Sequence, residues 1–289
     1  MVLPSMSASL ISLGLLLAAT ATPEPEPERW TPAAISTDQY ESSPTLSPDG
    51  RELFFFRADR QFDNYRLLST RCVDGRWSAP VEPSFAAAPG VLETDPAFGA
   101  DGRTLYYGTS RHRKDDLDIW KVERDADGQW GAPTRLPEPV NSTHSELLPR
   151  PLADGRLLFG SNRPGGPGGR DLYLATPQEN GDWQVQPLPG EANTAGDEYE
   201  ADISRDGRVM VVVANRGERS HLYRYEQVDG AWRERGQVPA RQDVFQIGPL
   251  LSPDGKRLLF AQADDERSGE LFLVDLEADA DPTWPRPCD

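Results

Sequence analysis

The chain has 289 residues and a formal net charge of −17, from 30 Lys and Arg against 47 Asp and Glu. That length allows one large domain or two small ones. So acidic a surface disfavours nucleic acid and anionic membranes as partners, and suits cations, basic partners or plain solubility.

Residues 1–21 read as a signal peptide. Leu10–Ala19 is an apolar run of h-region length, too short to span a bilayer, and Ala19-Thr20-Ala21 offers small residues for cleavage. No Lys or Arg precedes that run, so the amino terminus supplies its positive charge. Residues 22–28 (TPEPEPE) form a Pro/Glu-rich linker, extended and solvated. Export implies a periplasmic or secreted protein in an oxidising compartment, where a disulfide persists.

From residue 29 to residue 289 a unit recurs. "SPDGRELFFF" at 47–56 is echoed at 99–108, 152–160, 204–214 and 252–261. The turn aspartates Asp49, Asp101, Asp154, Asp206 and Asp254 stand 52, 53, 52 and 48 residues apart, which signals a repeat architecture. Each unit predicts four strands. A short first strand ends in an Asp-Gly turn, which supplies the positive φ of a tight hairpin. The second strand is almost wholly apolar ("LFFF", "VMVVV"), as expected of a strand covered on both faces. A third carries an aromatic signature ("DIW", "DLY", "HLY", "ELF"). A fourth begins at Trp77, Trp130, Trp183 and Trp232.

Four antiparallel strands per unit, five times over, predict an all-β, five-bladed β-propeller. The fifth unit lacks an obvious fourth strand, and either Trp30 or Trp284 completes it. Trp30 is favoured, because "ERWTPAAISTDQYE" at 28–41 resembles the tail of a unit. Ring closure would bring the C-terminal region beside the first unit, so a Cys72–Cys288 bridge is expected.

Eight residues before each turn aspartate stand Glu41, Glu93, Glu146, Glu198 and Gln246. They start the innermost strand and are expected to circle one mouth of the channel. Arg60, Arg111, Arg163 and Arg216 end the second strand at the same level. The bland reading is a set of intrablade Glu–Arg pairs. The functional reading is a polar mouth for a cation, sugar or peptide end, with Asp95, Glu200 and Asp202 nearby and Gln246 as an opening. Repeat-equivalent acids argue against catalysis, which needs unlike partners. His112, His144 and His221 have no metal spacing, and the glycine-rich "RPGGPGGRD" at 163–171 lacks the Gly-Lys-Ser/Thr of a phosphate loop. No cofactor or metal is called for.

Glu-x-x-Pro, Ser-Pro-Asp-Gly-Arg, an apolar strand, Ser-x-Arg and Asp-Leu-Tyr, with "SNRPGGPGGRDLY" at 161–173, resemble the TolB-type, WD-repeat-like β-propeller repeat. The resemblance covers all five units and implies an exported bacterial scaffold that contacts envelope proteins. TolB itself has six blades and a separate α/β domain, which separates this count of five from a Tol–Pal role. The expected function is a monomeric, non-enzymatic interaction scaffold without a membrane span. The alternatives are a carbohydrate- or peptide-binding module using the acidic mouth, and a five-bladed glycoside hydrolase.

Overall fold

The computed structural model describes residues 26–114, 116–264 and 267–288. The predicted signal peptide and most of the linker lie outside them. The described residues are all-β, and none of them forms a helix long and apolar enough to cross a membrane.

A two-residue strand, β1 (Glu28–Arg29), comes first and takes in the last residue assigned to the linker. The first unit then holds β2 (Tyr40–Leu46), β3 (Glu52–Ala58), β4 (Arg66–Val73) and β5 (Arg76–Trp77). The second holds β6 (Glu93–Phe98), β7 (Thr104–Arg113), β8 (Asp116–Glu123) and β9 (Thr134–Arg135). The third holds β10 (Glu146–Pro151), β11 (Leu157–Ser161), β12 (Asp171–Pro177) and β13 (Trp183–Pro187). The fourth holds β14 (Asp197–Ile203), β15 (Val209–Asn215), β16 (Ser220–Val228) and β17 (Ala231–Gln237). Last come β18 (Gln246–Leu251), β19 (Arg257–Asp264) and β20 (Arg267–Asp275).

Units two, three and four are separate four-stranded antiparallel sheets in chain order. The remaining strands form one path, β18-β19-β20-β2-β3-β4-β5, with β1 on the side of β20. That sheet is mixed, because β20 meets β2 through a single parallel pair, Tyr40 opposite Gly269. The first strands pack side by side in the order β2, β6, β10, β14, β18, and β18 packs again on β2.

The Asp-Gly turns form because glycine takes the left-handed conformation that closes them; Gly50 has φ 71°. The apolar second strands are covered as their composition demands: Leu53, Phe54, Phe55 and Phe56 are all buried. At about 1.5–3 kcal/mol per large side chain, such strands dominate the stability of each unit. Their packing joins units: Phe54 and Leu67 share a core with Leu105 and Tyr107, and Ile119 shares one with Leu157 and Phe159. Gly160 has to be glycine, since a Cβ there would lie 2.2 Å from the Tyr199 carbonyl oxygen of the next unit.

The fourth strands depart from the tryptophan pattern. β13 begins at Trp183, but β9 begins four residues beyond Trp130, which makes only an isolated bridge to Arg124. On β20 the fourth position belongs to β1, with Glu28 opposite Leu273 and Arg29 opposite Phe272. The Trp30 N–H donates to the Leu271 carbonyl, as Leu136 does to Ile119 and Leu188 to Leu172. Trp30 therefore takes the place of Leu136, not that of Trp130. Trp284 lies outside the sheet, on the tail after β20, and packs against the core of the last unit. A disulfide joins Cys72 of β4 to Cys288 of that tail, with Cα atoms 5.4 Å apart.

Candidate functional site

Each predicted glutamate sits at or next to the start of a first strand and is buried. A buried carboxylate needs donors, and two sources provide them. The segment entering the unit gives the first. Thr37 Oγ1 donates to Glu41 at 2.5 Å, the Ala87 N–H to Glu93 at 3.0 Å, Ser142 Oγ to Glu146 at 2.6 Å and Thr194 Oγ1 to Glu198 at 2.5 Å. The second source is an arginine. Arg111 reaches Glu93 at 2.7 Å and Arg163 reaches Glu146 at 2.8 Å. Burial nevertheless pushes the Glu41 and Glu146 carboxyls up, against the opposing pull of these partners.

Two of the expected pairs are different. Glu41 is met by Arg57 at 2.7 Å, not by Arg60, which lies at the surface 3.4 Å from Asp38. The cause is register: Arg57 stands directly opposite Glu41. Beyond it the chain folds around the Asp59 carboxylate, which accepts the Gln61 and Asp63 N–H groups, and Arg60 is carried away. Arg216 lies 3.8 Å from Glu198 but bonds Glu234 at 2.8 Å, so its main partner is on β17. Gln246 is fully buried, with its amide on the Val244 carbonyl at 3.1 Å and its Oε1 2.8 Å from His221 Nδ1. Opposite it stands Gln262, while Asp264 pairs with Arg29 at 3.3 Å. The glutamates thus fasten each unit to the segment that enters it.

The other acids lie deeper. In every first strand the register slips two or so residues past the glutamate position, a β-bulge that re-aims a side chain. Ser43, Asp95 and Leu148 take positive φ there. Asp95 accepts from Ser43 Oγ at 2.9 Å and from the Leu148 N–H at 3.3 Å, so one carboxylate ties three first strands together. Glu200 accepts the Gly248 N–H at 2.6 Å, and Asp202 the Leu251 N–H at 2.7 Å. Contacts of this kind set all three acids between the first strands of different units.

Arg150, which the sequence reading passed over, completes the cluster. Its guanidinium is 4% exposed and donates to the Pro96 carbonyl at 3.2 Å and the Pro249 carbonyl at 2.9 Å. It also lies 3.6 Å from Asp202. One side chain on β10 therefore reaches β6, β14 and β18. Its signal was a break in the repeat: the equivalent positions hold Thr45, Ala97, Asp202 and Leu250. Burial raises the carboxyls of Asp95 and Asp202. Burial, with the Asp95 charge added, pushes Glu200 up to about 8.

Aromatic rings gather at the seam between β2 and β20. Tyr40 stacks on Phe245 at 5.3 Å, and Phe62 meets Tyr40 edge-on at 5.1 Å and Tyr65 at 5.3 Å. Phe62 holds φ 59°, unusual for a bulky residue, and so closes the seam with its ring. These rings are half-buried and pack on one another.

No family model matches the sequence, and no curated protein matches it. Solved structures do match in fold. TolB from Acinetobacter baumannii superposes with a TM-score of 0.51 at 17% identity, covering 84% of this chain and 56% of that one. The chain is similar in fold to TolB-like β-propellers. A second TolB-type structure, from Agrobacterium tumefaciens, gives a TM-score of 0.54 at 18% identity over 83% of this chain and 78% of that one. A family 117 glycoside hydrolase from the marine bacterium Zobellia galactanivorans gives 0.60 at 13% identity over 90% and 93% of the two chains. The chain spans a little over half the length of the first TolB, and the likeness extends to enzymes as well as to TolB.

Proposed function

We propose that the chain is an exported, closed, five-bladed β-propeller that binds other envelope components at its surface and does no chemistry in its channel. One observation carries this reading: the central acids are engaged strand to strand. Asp95 holds Ser43 and Leu148, Glu200 holds Gly248, Asp202 holds Leu251, and Arg150 spans the space between them. Groups so occupied act as scaffolding. Closure is supported by the packing of β18 on β2 and by β1 completing the last unit. Arg29 on β1 pairs with Glu270 at 2.6 Å, as Arg135 on β9 pairs with Asp118 at 2.8 Å, so the added strand reproduces a unit's own ion pair. Export is supported by the apolar segment at 10–19 and by a disulfide suited to an oxidising compartment.

A second reading, a glycan-cleaving enzyme, has one observation in its favour. Asp95 and Glu200 are unlike carboxyls, the same repeat position in units two and four, and burial with the Asp95 charge pushes Glu200 up to about 8. The test separates the two. The purified protein and Glu200→Gln are assayed for reducing-sugar release on a panel of envelope and plant glycans. In parallel, the wild type is used to retrieve partners from envelope extracts, with reciprocal capture. The scaffold reading expects no turnover and a partner retrieved in both directions. Turnover that Glu200→Gln abolishes would establish the enzyme instead.

A further inference from the structure

In units two to five the third strand is clamped on its outer side at one repeat position. The carbonyl of Ile119 accepts the Leu136 N–H, that of Leu172 the Leu188 N–H, that of Leu222 the Val238 N–H and that of Leu271 the Trp30 N–H. In three of these units a side chain holds the N–H of the same residue. Ile119 donates to Asn141 Oδ1 at 2.7 Å, Leu172 to Asn193 Oδ1 at 2.7 Å and Leu271 to Thr31 Oγ1 at 2.6 Å. Asn141 and Asn193 also donate from Nδ2 to the Ile119 and Leu172 carbonyls, at 2.8 Å and 3.0 Å.

The equivalent residue of unit one is Leu67, which stands opposite Phe56 as Ile119 stands opposite Gly108. Its backbone N–H and C=O point away from β3, because Ser69, two residues on, exchanges both of its bonds with Val81. Neither group of Leu67 has a hydrogen-bond partner among the described residues. Two residues explain this. Val81 faces Ser69 as Thr134 faces Lys121, which puts Pro83, lacking an N–H, where Leu136 stands. The Ala87 N–H reaches Glu93 as the Ser142 N–H reaches Glu146, which puts Ala86 where Asn141 stands. Leu67 is 1% exposed, so bulk water does not satisfy the two groups, and leaving them unmade is costly. A cavity of about 210 Å³ lies against them, lined by Leu67, Ala86, Ala87, Ala88 and Val91 and bordered by the Arg66–Glu82 ion pair. It is smaller than the roughly 300–1,000 Å³ of drug-sized sites, and suits a single side chain.

We infer that this cavity is a docking site for an asparagine side chain of a partner protein. The amide oxygen accepts the Leu67 N–H, and the amide nitrogen donates to the Leu67 carbonyl. The chain itself supplies the template, since Asn141 and Asn193 make these two bonds in units two and three. A carboxylate accepts but does not donate, and an alkyl group does neither. The inference rests on the binding reading above and names one contact of that partner.

The test is an NMR titration of the isotope-labelled full exported chain, with the Leu67 amide as reporter. The probe is the tripeptide Ala-Asn-Ala, acetylated and methylamidated; Ala-Asp-Ala and Ala-Ala-Ala, capped alike, are the controls. Expected are a saturable shift of the Leu67 resonance with the asparagine peptide and at least tenfold weaker binding of the other two. Ala86→Asn supplies the amide from within, so it should move the Leu67 resonance by itself and abolish binding of the peptide. No saturable shift in the wild type, as for a pair satisfied by trapped water, would overturn the inference. So would equal binding of the alanine peptide, which would mean backbone pairing, or undiminished binding to folded Ala86→Asn. Should that variant not fold, the three peptides on the wild type decide alone. Peptide binding with no partner captured from envelope extracts would leave this site standing and remove the scaffold reading; a captured partner without peptide binding would do the reverse.

Discussion

Glu200→Gln should remove the pH dependence that this one carboxyl imposes on stability. The Glu200 carboxyl moves from its ordinary 4.5 to about 8, chiefly through burial and then through the Asp95 charge; the Gly248 N–H and Arg150 oppose this. Between those two values the folded protein holds a proton that the unfolded chain releases. The contribution is fully present below pH 4.5 and is lost as pH rises through 8. At about 1.4 kcal/mol per pH unit, the interval amounts to stability on the order of 5 kcal/mol. Glutamine stays neutral and can still accept the Gly248 N–H. Urea unfolding followed by tryptophan fluorescence at pH 4.5, 6, 7.5 and 9 should give similar stabilities for the two proteins at the acid end. The variant should then gain several kcal/mol over wild type at pH 9. A difference that stays constant across that range would refute a protonated Glu200.

Arg150→Met should destabilise by about 3–5 kcal/mol in urea, because it strands Asp202 and the Pro96 and Pro249 carbonyls. Unchanged stability would show that the cluster is not held by this side chain. Glu93→Ala and Arg111→Ala should be non-additive in a double-mutant cycle, with a coupling of about 0.5–3 kcal/mol; additive losses would uncouple the pair. Reduction of the Cys72–Cys288 bridge, which spans 216 residues, should cost roughly 5–6 kcal/mol in the chain-entropy model. Mass mapping of exported, unreduced protein should recover the linked peptides, and two free thiols would refute the bridge.

What the sequence made legible was local. Asp-Gly turns and unbroken apolar strands follow from backbone conformation and burial, and each was visible within ten residues. What it hid was relational. Position at the strand end points to Arg60, yet the pairing is decided by register, which puts Arg57 across from Glu41. The tail-like stretch at 28–41 points to Trp30, and the backbone bond of Trp30 aligns it with Leu136 and not with the tryptophans. Sequence proximity sets Asp95 and Glu200 beside the glutamates, because a bulge that turns them toward neighbouring units leaves no residue signature. Arg150 was legible in principle, as a lone arginine where its equivalents are Thr45, Ala97, Asp202 and Leu250.

The bridge from Cys72 to Cys288 has a topological consequence. It turns residues 72–288 into a covalent macrocycle, with β1, β2 and β3 as an overhang attached at Cys72. A single nick in any loop of that macrocycle opens it without dividing the molecule, so an unreduced gel would still show one species of full mass. Where no reductant breaks the bridge, a surface loop between Cys72 and Cys288 can be cut and every unit still remain covalently joined to the others.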